Sequence, residues 1–230
     1  MQDSVIFFPD NFPFEDCDEF PDGTEALFRN GERFFYKNNS DTLVIFYHGN
    51  AASGCAWGFL AEIFDEANLS FIVTVYPGFS GDTRRPSIQK VKNYVNTIHE
   101  FSEKYERVKL LGYSIGTGAA AYHSSLGRYD ELFLISSFPS IAEIASIQYP
   151  FYPVGLMLKD DFDIVRYLSY FDGHIVQVHG TDDAIVPIEL AKSLHESLAT
   201  EKRFVEINQD HNTMFSDIVL FEELAEFLER

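Results

Sequence analysis

Cysteine is scarce in this sequence, which contains only Cys17 and Cys55 among its 230 residues. Two cysteines so far apart provide neither a disulfide framework nor the close spacing of a metal-binding motif. We therefore predict two unpaired thiols, that of Cys55 being buried, and no metal site. Unpaired thiols are typical of a reducing compartment, so the predicted location is the cytoplasm.

Basic residues and long apolar runs are also scarce. The chain has 17 Lys and Arg against 36 Asp and Glu, a formal net charge of −19. A surface of that sign repels nucleic acid, so no nucleic-acid partner is predicted. No stretch approaches the roughly 18 apolar residues that a membrane helix needs, and Met1–Ser4 lacks the basic region of a signal peptide. We expect no integral membrane segment.

Apolar residues, by contrast, make up 46% of the chain and follow an alternating pattern. Continuous apolar runs predict buried strands at 43–47, 71–76, 108–111, 131–136, 175–178 and 204–207. Apolar residues three or four positions apart predict helices over 56–67, 87–105, 188–199 and 213–230, with a small-residue helix after 116. Such alternation predicts an α/β fold, a mainly parallel sheet with helices on both faces. The length favours a single domain over residues 1–230.

Two segments depart from this alternation of predicted strands and helices: the N-terminal region and residues 138–171. Short apolar runs at 5–8, 24–28 and 33–36 predict an antiparallel edge that joins the sheet. Residues 138–171 are rich in Phe, Tyr and Pro and stand between two predicted core strands. We predict that they form a short cap-like insert over the carboxyl ends of the strands, where ligands bind in α/β sheets.

The most informative motif is Gly112-Tyr113-Ser114-Ile115-Gly116, which has the form G-x-S-x-G. It follows a predicted buried strand and precedes the small-residue helix, the setting in which this motif presents a nucleophilic serine. The turn is strained, and side chains at 112 or 116 would collide with neighbouring elements. The motif predicts that Ser114 is a nucleophile; an inert serine in a tight turn is the alternative.

A candidate acid and a candidate base follow in the order of an α/β-hydrolase triad. Asp183 lies in the loop directly after the predicted strand at 175–178, and His211 follows the last strand. We predict that His211 is the base that accepts the proton of Ser114 and that Asp183 orients it. Asp182 adjoins Asp183 and is the competing candidate for the acid.

The oxyanion of an acyl-transfer reaction needs two main-chain N–H donors. We predict that one comes from Ile115, immediately after the nucleophile. The other is predicted to come from Asn50, in the turn His48-Gly49-Asn50-Ala51 after the first core strand. His48 itself is interpreted as a structural residue of that turn.

These segments, with the loop Tyr-Pro-Gly-Phe-Ser-Gly at 76–81, resemble the α/β-hydrolase superfamily from about residue 40 to the end. Within this range, the turn at 48–51, the loop at 76–81 and the stretch 149–163 are similar to the Bem46/ABHD-like branch of serine hydrolases. The resemblance implies a Ser-His-Asp hydrolase of carboxylic esters or thioesters, acting without a metal or cofactor. In the family loop the acid lies four residues before the proline, and that count from Pro187 selects Asp183 over Asp182.

The predicted function is hydrolysis of a small-molecule carboxylic ester by Ser114, His211 and Asp183 through an acyl-enzyme. A thioesterase or protein depalmitoylase needs the same groups and is the alternative; a non-catalytic binding protein on this scaffold is a further one. Four side chains are predicted to line an apolar acyl pocket: Phe79, Phe138, Met157 and Leu158. The natural substrate, the acyl-chain length and the oligomeric state are left open.

Overall fold

The computed structural model describes residues 6–148 and 158–230. Eight strands form one sheet: β1 (Glu25–Arg29), β2 (Glu32–Lys37), β3 (Thr42–Tyr47), β4 (Ser70–Val75), β5 (Arg107–Tyr113), β6 (Glu131–Ile135), β7 (His174–Gly180) and β8 (Lys202–Ile207). The α-helices of the described part are α1 (Gly58–Glu66), α2 (Ile88–Ser102), α3 (Ile115–Ser124), α4 (Ile141–Gln148), α5 (Ile164–Leu168), α6 (Ile188–Ser197) and α7 (Ile218–Glu229).

The sheet is mostly parallel, with the strand order β1-β2-β4-β3-β5-β6-β7-β8. The six strands from β4 to β8 in this order pair in parallel, and β1 and β2 add an antiparallel edge. The predicted α/β fold is therefore confirmed, as is the antiparallel edge. The predicted strand at 5–8 is wrong for its described residues, because 6–8 pair with no strand.

Burial explains why the central strands read as unbroken apolar runs. The side chains of β3 from Leu43 to Tyr47 and those of β6 from Leu132 to Ile135 are all fully buried. A strand covered on both faces has no solvent side on which to place polar residues. The parallel strands all end at the same edge, so the loops that follow β3, β5, β7 and β8 are brought close together.

The segment 138–171, which was predicted to be a cap-like insert, is described at its two ends, which contain α4 and α5. Asp161 ties these ends together, because its carboxylate accepts hydrogen bonds from the main-chain N–H groups of Ile141 (2.8 Å) and Ala142 (3.4 Å). Those amides are the first of α4 and have no acceptor within the helix. The start of α4 is thereby fixed in place. No helix in the described part of the chain is long and apolar enough to cross a membrane.

The prediction of two unpaired thiols is wrong, since Cys17 and Cys55 form a disulfide with Cα atoms 5.3 Å apart. Cys17 follows a short 3₁₀ turn at Phe14–Asp16, and Cys55 lies in the turn after β3. The hairpin of β1 and β2 lies between the two cysteines in the chain and reverses its direction, which brings Cys17 back to Cys55. The distance between the cysteines in the sequence does not reveal this contact. The argument for a reducing compartment therefore loses its basis.

We expect the double variant Cys17→Ser/Cys55→Ser to have a free energy of unfolding lower by about 2–4 kcal/mol, because the cross-link restricts the unfolded chain. Urea denaturation of the variant and of the wild type, with and without dithiothreitol, measures this difference. Reduced wild type should match the variant. A wild type that is as stable with reductant as without it would show that the bond contributes nothing.

Candidate active site

Ser114 occupies a strained turn between β5 and α3. Its φ of 53° and ψ of −124° lie outside the regions that a serine ordinarily adopts. The flanking glycines make the turn possible: a Cβ on Gly116 would lie 2.0 Å from the carbonyl oxygen of Tyr47, and one on Gly112 would lie 2.7 Å from that of Gly116. The N–H of Ser114 donates to the carbonyl of Ile135 on the neighbouring strand (2.9 Å), which holds the turn.

The structure brings Ser114, His211 and Asp183 together in one hydrogen-bonded chain. The Nε2 atom of His211 lies 2.9 Å from Ser114 Oγ, and its Nδ1 atom lies 2.7 Å from Asp183 Oδ2. All three residues are buried. With Nδ1–H donating to a carboxylate, Nε2 carries the lone pair and faces the serine hydroxyl, which is the arrangement that general-base catalysis needs.

Asp183 is held as a carboxylate by several donors. Its Oδ1 atom accepts from the N–H groups of Ile185 (3.0 Å) and Val186 (2.7 Å), while Oδ2 accepts from His211. Burial by itself raises the pKa of Asp183, but the His211 hydrogen bond and charge, with the Val186 N–H, outweigh it and leave the pKa below its usual value. Asp182 is exposed and contacts neither Ser114 nor His211 through its side chain.

Two residues that were not predicted to have a role support this chain. Tyr113 donates its hydroxyl hydrogen to the carbonyl of His211 (2.6 Å), and its ring stacks on the imidazole with centroids 5.4 Å apart. His179 lies below the acid, with Nε2 3.5 Å from Asp183 Oδ2 and 2.8 Å from the carbonyl of Val186. Burial lowers the pKa of His179, so it is neutral and donates to that carbonyl. The sequence does indicate both residues by position, because Tyr113 directly precedes Ser114 and His179 lies at the end of β7, just before the loop of Asp183.

Asn50 and Ile115, the predicted oxyanion donors, border the same cavity as Ser114 and His211. The N–H of Ile115 opens α3, so it has no acceptor within the helix, and the positive end of the helix dipole lies at this point. In residues 6–148 and 158–230, no main-chain carbonyl accepts from Asn50 N–H or Ile115 N–H. Both amides are available to a ligand.

The cavity beside Ser114 has a volume of about 300 Å³ and is mostly apolar. Besides the groups already described, its walls comprise Ile6, Phe8, Ala51, Phe138, Ile141, Ile144, Ala145, Ile185, Val186 and Asn212. No Asp, Glu, Lys or Arg of the described chain is among the residues that line it. The cavity therefore suits an uncharged, hydrophobic group.

The four predicted pocket residues have different positions. Phe138 lines the cavity. Phe79 does not; it is fully buried behind the wall, against the rings of His48 and Tyr76. Leu158 is half-buried against the hydrophobic core and is also absent from the wall, and Met157 lies outside the described residues. The turn at 76–79 points the Phe79 ring inward, a direction that the sequence motif alone does not specify.

His48 is fully buried in the turn that carries Asn50. Burial lowers the pKa of His48 to about 4, although the carbonyl of Gly49, 2.6 Å from Nδ1, favours the protonated form. The imidazole is therefore neutral and packs on the ring of Tyr76 at 4.3 Å between centroids. This agrees with a structural role for His48.

The neutral imidazole predicts a specific loss of stability in acid. Between pH 6.5 and about 4 the unfolded chain binds a proton at position 48 that the folded chain excludes, so stability falls as the pH falls across this window. We expect wild type to lose about 3 kcal/mol more than His48→Gln between pH 7 and pH 4. Urea denaturation of both proteins at the two pH values measures this. Parallel losses in the two proteins would contradict it.

Solved structures with the same fold bear on the class of this protein. The esterase PF2001 of Pyrococcus furiosus superposes with a TM-score of 0.70 at 15% identity, covering 97% of each chain. Mouse α/β-hydrolase domain-containing protein 10 superposes with a TM-score of 0.65 at 14% identity, covering 90% of this chain and 98% of its own. The chain has the α/β-hydrolase fold.

Comparison of the amino-acid sequence with those of other proteins finds distant relatives of this chain. An uncharacterized protein of Mycobacterium tuberculosis H37Rv is 25% identical over 219 residues, which are 89% of this chain and 78% of that protein. No protein-family model matches the chain. The solved structures confirm the predicted α/β-hydrolase fold, whereas the assignment to the Bem46/ABHD-like branch stays a prediction.

Proposed function

We propose that this protein is a serine hydrolase that cleaves carboxylic esters of small molecules. The observation that carries the proposal is the continuous hydrogen-bonded chain from Ser114 Oγ through His211 to Asp183 (2.9 and 2.7 Å). Ser114 and His211 line an apolar cavity that is also lined by Asn50 and Ile115, the proposed oxyanion donors. Nucleophile, oriented base and oxyanion donors are the parts that acyl transfer requires.

The first half of the reaction forms an acyl-enzyme. Ser114 Oγ attacks the ester carbonyl carbon while its proton passes to His211 Nε2. The carbonyl oxygen gains negative charge, which the N–H groups of Asn50 and Ile115 stabilise. When the bond to the alcohol oxygen breaks, His211 returns the proton to that oxygen, and the alcohol leaves.

The second half releases the acid. A water molecule gives its proton to His211 Nε2 and attacks the acyl carbon. The bond to Ser114 Oγ then breaks, and His211 protonates that oxygen, so the enzyme is regenerated and the carboxylic acid departs. Asp183 stays ionised throughout and stabilises the imidazolium, consistent with its lowered pKa.

The cavity favours short-to-medium acyl groups without charge. Its volume of about 300 Å³ is at the small end of the range for ligand sites. The described residues of its wall include no Asp, Glu, Lys or Arg that could pair with an acidic or basic acyl group. A charged group would lose its hydration without compensation there.

The experiment is labelling with a fluorophosphonate, followed by peptide mass spectrometry and a panel of p-nitrophenyl esters of increasing acyl length. We expect the label on Ser114 and hydrolysis that peaks at short-to-medium chains. An acyl thioester matched to the best oxygen ester distinguishes the thioesterase alternative, because both reactions use the same groups. Labelling of another residue, or no labelling and no turnover, would overturn the proposal and favour a binding protein.

The oxidation state of Cys17 and Cys55 in the cell indicates the cellular location of the protein. The cytoplasmic location predicted from the sequence stays a prediction, and the disulfide between Cys17 and Cys55 weighs against it. Trapping free thiols with an alkylating agent during cell lysis, then analysing the two cysteine peptides, decides which form is present.

A further inference from the structure

The N-terminal strap, defined as residues 6–12, forms one side of the active-site cavity. Ile6 and Phe8 are part of its wall, beside Ser114. Phe7, between them, is buried in the opposite direction and packs edge-to-face on Phe79 with centroids 6.5 Å apart. Alternate side chains thus anchor the strap and contact the cavity.

Asn50 fixes the strap with both halves of its side-chain amide. Its Nδ2 group donates to the carbonyl of Ile6 (2.6 Å), and its Oδ1 atom accepts from the N–H of Phe8 (2.9 Å). Both contacts are made to main-chain atoms two residues apart, so they fix which strap residues face the cavity. The main-chain N–H of the same Asn50 is the proposed oxyanion donor.

Further contacts hold the far end of the strap. Asp10 accepts from the N–H of Ser80 (3.0 Å) through Oδ2 and from that of Phe12 (2.9 Å) through Oδ1. Beyond the strap, Phe14 is buried against the ring of Phe35, and Cys17 is joined to Cys55. The N-terminal segment is therefore attached to the turn after β3 at two places, within the strap by Asn50 and beyond the strap by the disulfide.

We propose that the strap determines the acyl specificity of this enzyme: Phe8 limits acyl length at the cavity mouth, and Asn50 couples the strap to the oxyanion site. The proposal rests on the proposed esterase function. Phe8 is 57% exposed although it lines the cavity, so its ring stands at the boundary between cavity and solvent. A longer acyl chain has to pass this ring. Asn50 is a positioning residue through its side chain, since that group contacts the strap.

The length limit is tested with Phe8→Ala against Phe12→Ala. Phe12 is a matched control because it is on the same strap, is 48% exposed and does not line the cavity. We expect Phe8→Ala to raise the ratio of kcat/KM for the decanoate to that for the butyrate ester by about tenfold or more, as opening a hydrophobic pocket by a few methylenes allows. Phe12→Ala should leave the ratio within about twofold of wild type. An unchanged ratio in Phe8→Ala, or an equal rise in both variants, overturns the length limit.

The coupling is tested with Asn50→Ala, which keeps the main-chain N–H and removes both strap contacts. Asn11→Ala is the control, because Asn11 lies on the same strap, is exposed and does not line the cavity, so this variant should keep the wild-type kcat and length profile. We expect Asn50→Ala to lower kcat about tenfold for the acetate ester, the shortest of the series, and also to broaden the length profile. A change in KM alone, with kcat and the length profile as in wild type, overturns the coupling.

Fluorophosphonate labelling of each variant separates failure of this proposal from failure of the esterase function. Labelling of Ser114 in all variants with unchanged length profiles overturns the strap proposal and leaves the hydrolase intact. Absence of both labelling and turnover in the wild type overturns the esterase function, and the strap proposal fails with it.

Discussion

Replacing Ser114 by alanine is expected to lower kcat by about 10⁴-fold or more, because the three groups act as a unit and only oxyanion stabilisation and binding remain. The stability of the fold should change little, since alanine keeps the Cβ and the N–H that bonds Ile135. Single-turnover hydrolysis of the best p-nitrophenyl ester and urea denaturation measure the two effects.

The neighbouring strand offers a matched control for this variant. Ser136 follows β6 with a φ of 52°, is fully buried, and its hydroxyl has no partner among the described residues. Ser136 shares the positive φ of Ser114, but its hydroxyl makes no hydrogen bond to His211. Ser136→Ala should therefore keep its activity and its fluorophosphonate label. A Ser114→Ala protein that hydrolyses esters at the wild-type rate would exclude Ser114 as the nucleophile.

The second large effect distinguishes the two adjacent aspartates. Asp183→Asn is expected to lower kcat by about 10⁴-fold, because an amide facing His211 Nδ1 favours the wrong imidazole tautomer. Asp182→Asn should cost little, since that side chain is exposed. Steady-state kinetics of the two variants at pH 8 measure the difference.

The rate of labelling by fluorophosphonate should likewise fall strongly in Asp183→Asn and little in Asp182→Asn, because this rate reports the activation of Ser114 by His211. If Asp182→Asn were the more damaged protein, Asp182 and not Asp183 would orient the base. Equal and small losses in both variants would mean that the hydrogen bond at 2.7 Å does not matter for catalysis.

The proximity of Ser114, Asp183 and His211 could be predicted because the topology of the sheet determines where the loops after its strands lie. Each follows a strand of one parallel sheet, and strands in parallel end at the same edge. The pairing of Gly180 with Ile207 in β7 and β8 places the loops of Asp183 and His211 side by side. A local motif and the order of elements were therefore sufficient to bring three distant residues to one place.

The strap and the disulfide could not be predicted in the same way. Both depend on contacts between an irregular N-terminal segment and the turn after β3, and an irregular segment has no periodicity that shows its direction. The inward orientation of Phe79 has a similar cause, because its ring packs on His48 and Tyr76, while Phe8 of the strap lines the cavity together with the predicted Phe138. Tertiary packing decides which aromatic side chain of a loop meets a ligand.

The backbone conformation of the turn at Ser114 lowers the stability of the fold in order to hold the serine that the proposed reaction needs. At a φ of 53° a glycine would rest without steric cost, so the nucleophile occupies a position where its own side chain is a burden to the fold. Gly116 adds to this, because no larger residue fits beneath Tyr47. The sequence that would make this turn most robust is one that could no longer perform the proposed reaction, so selection for stability alone would remove the serine.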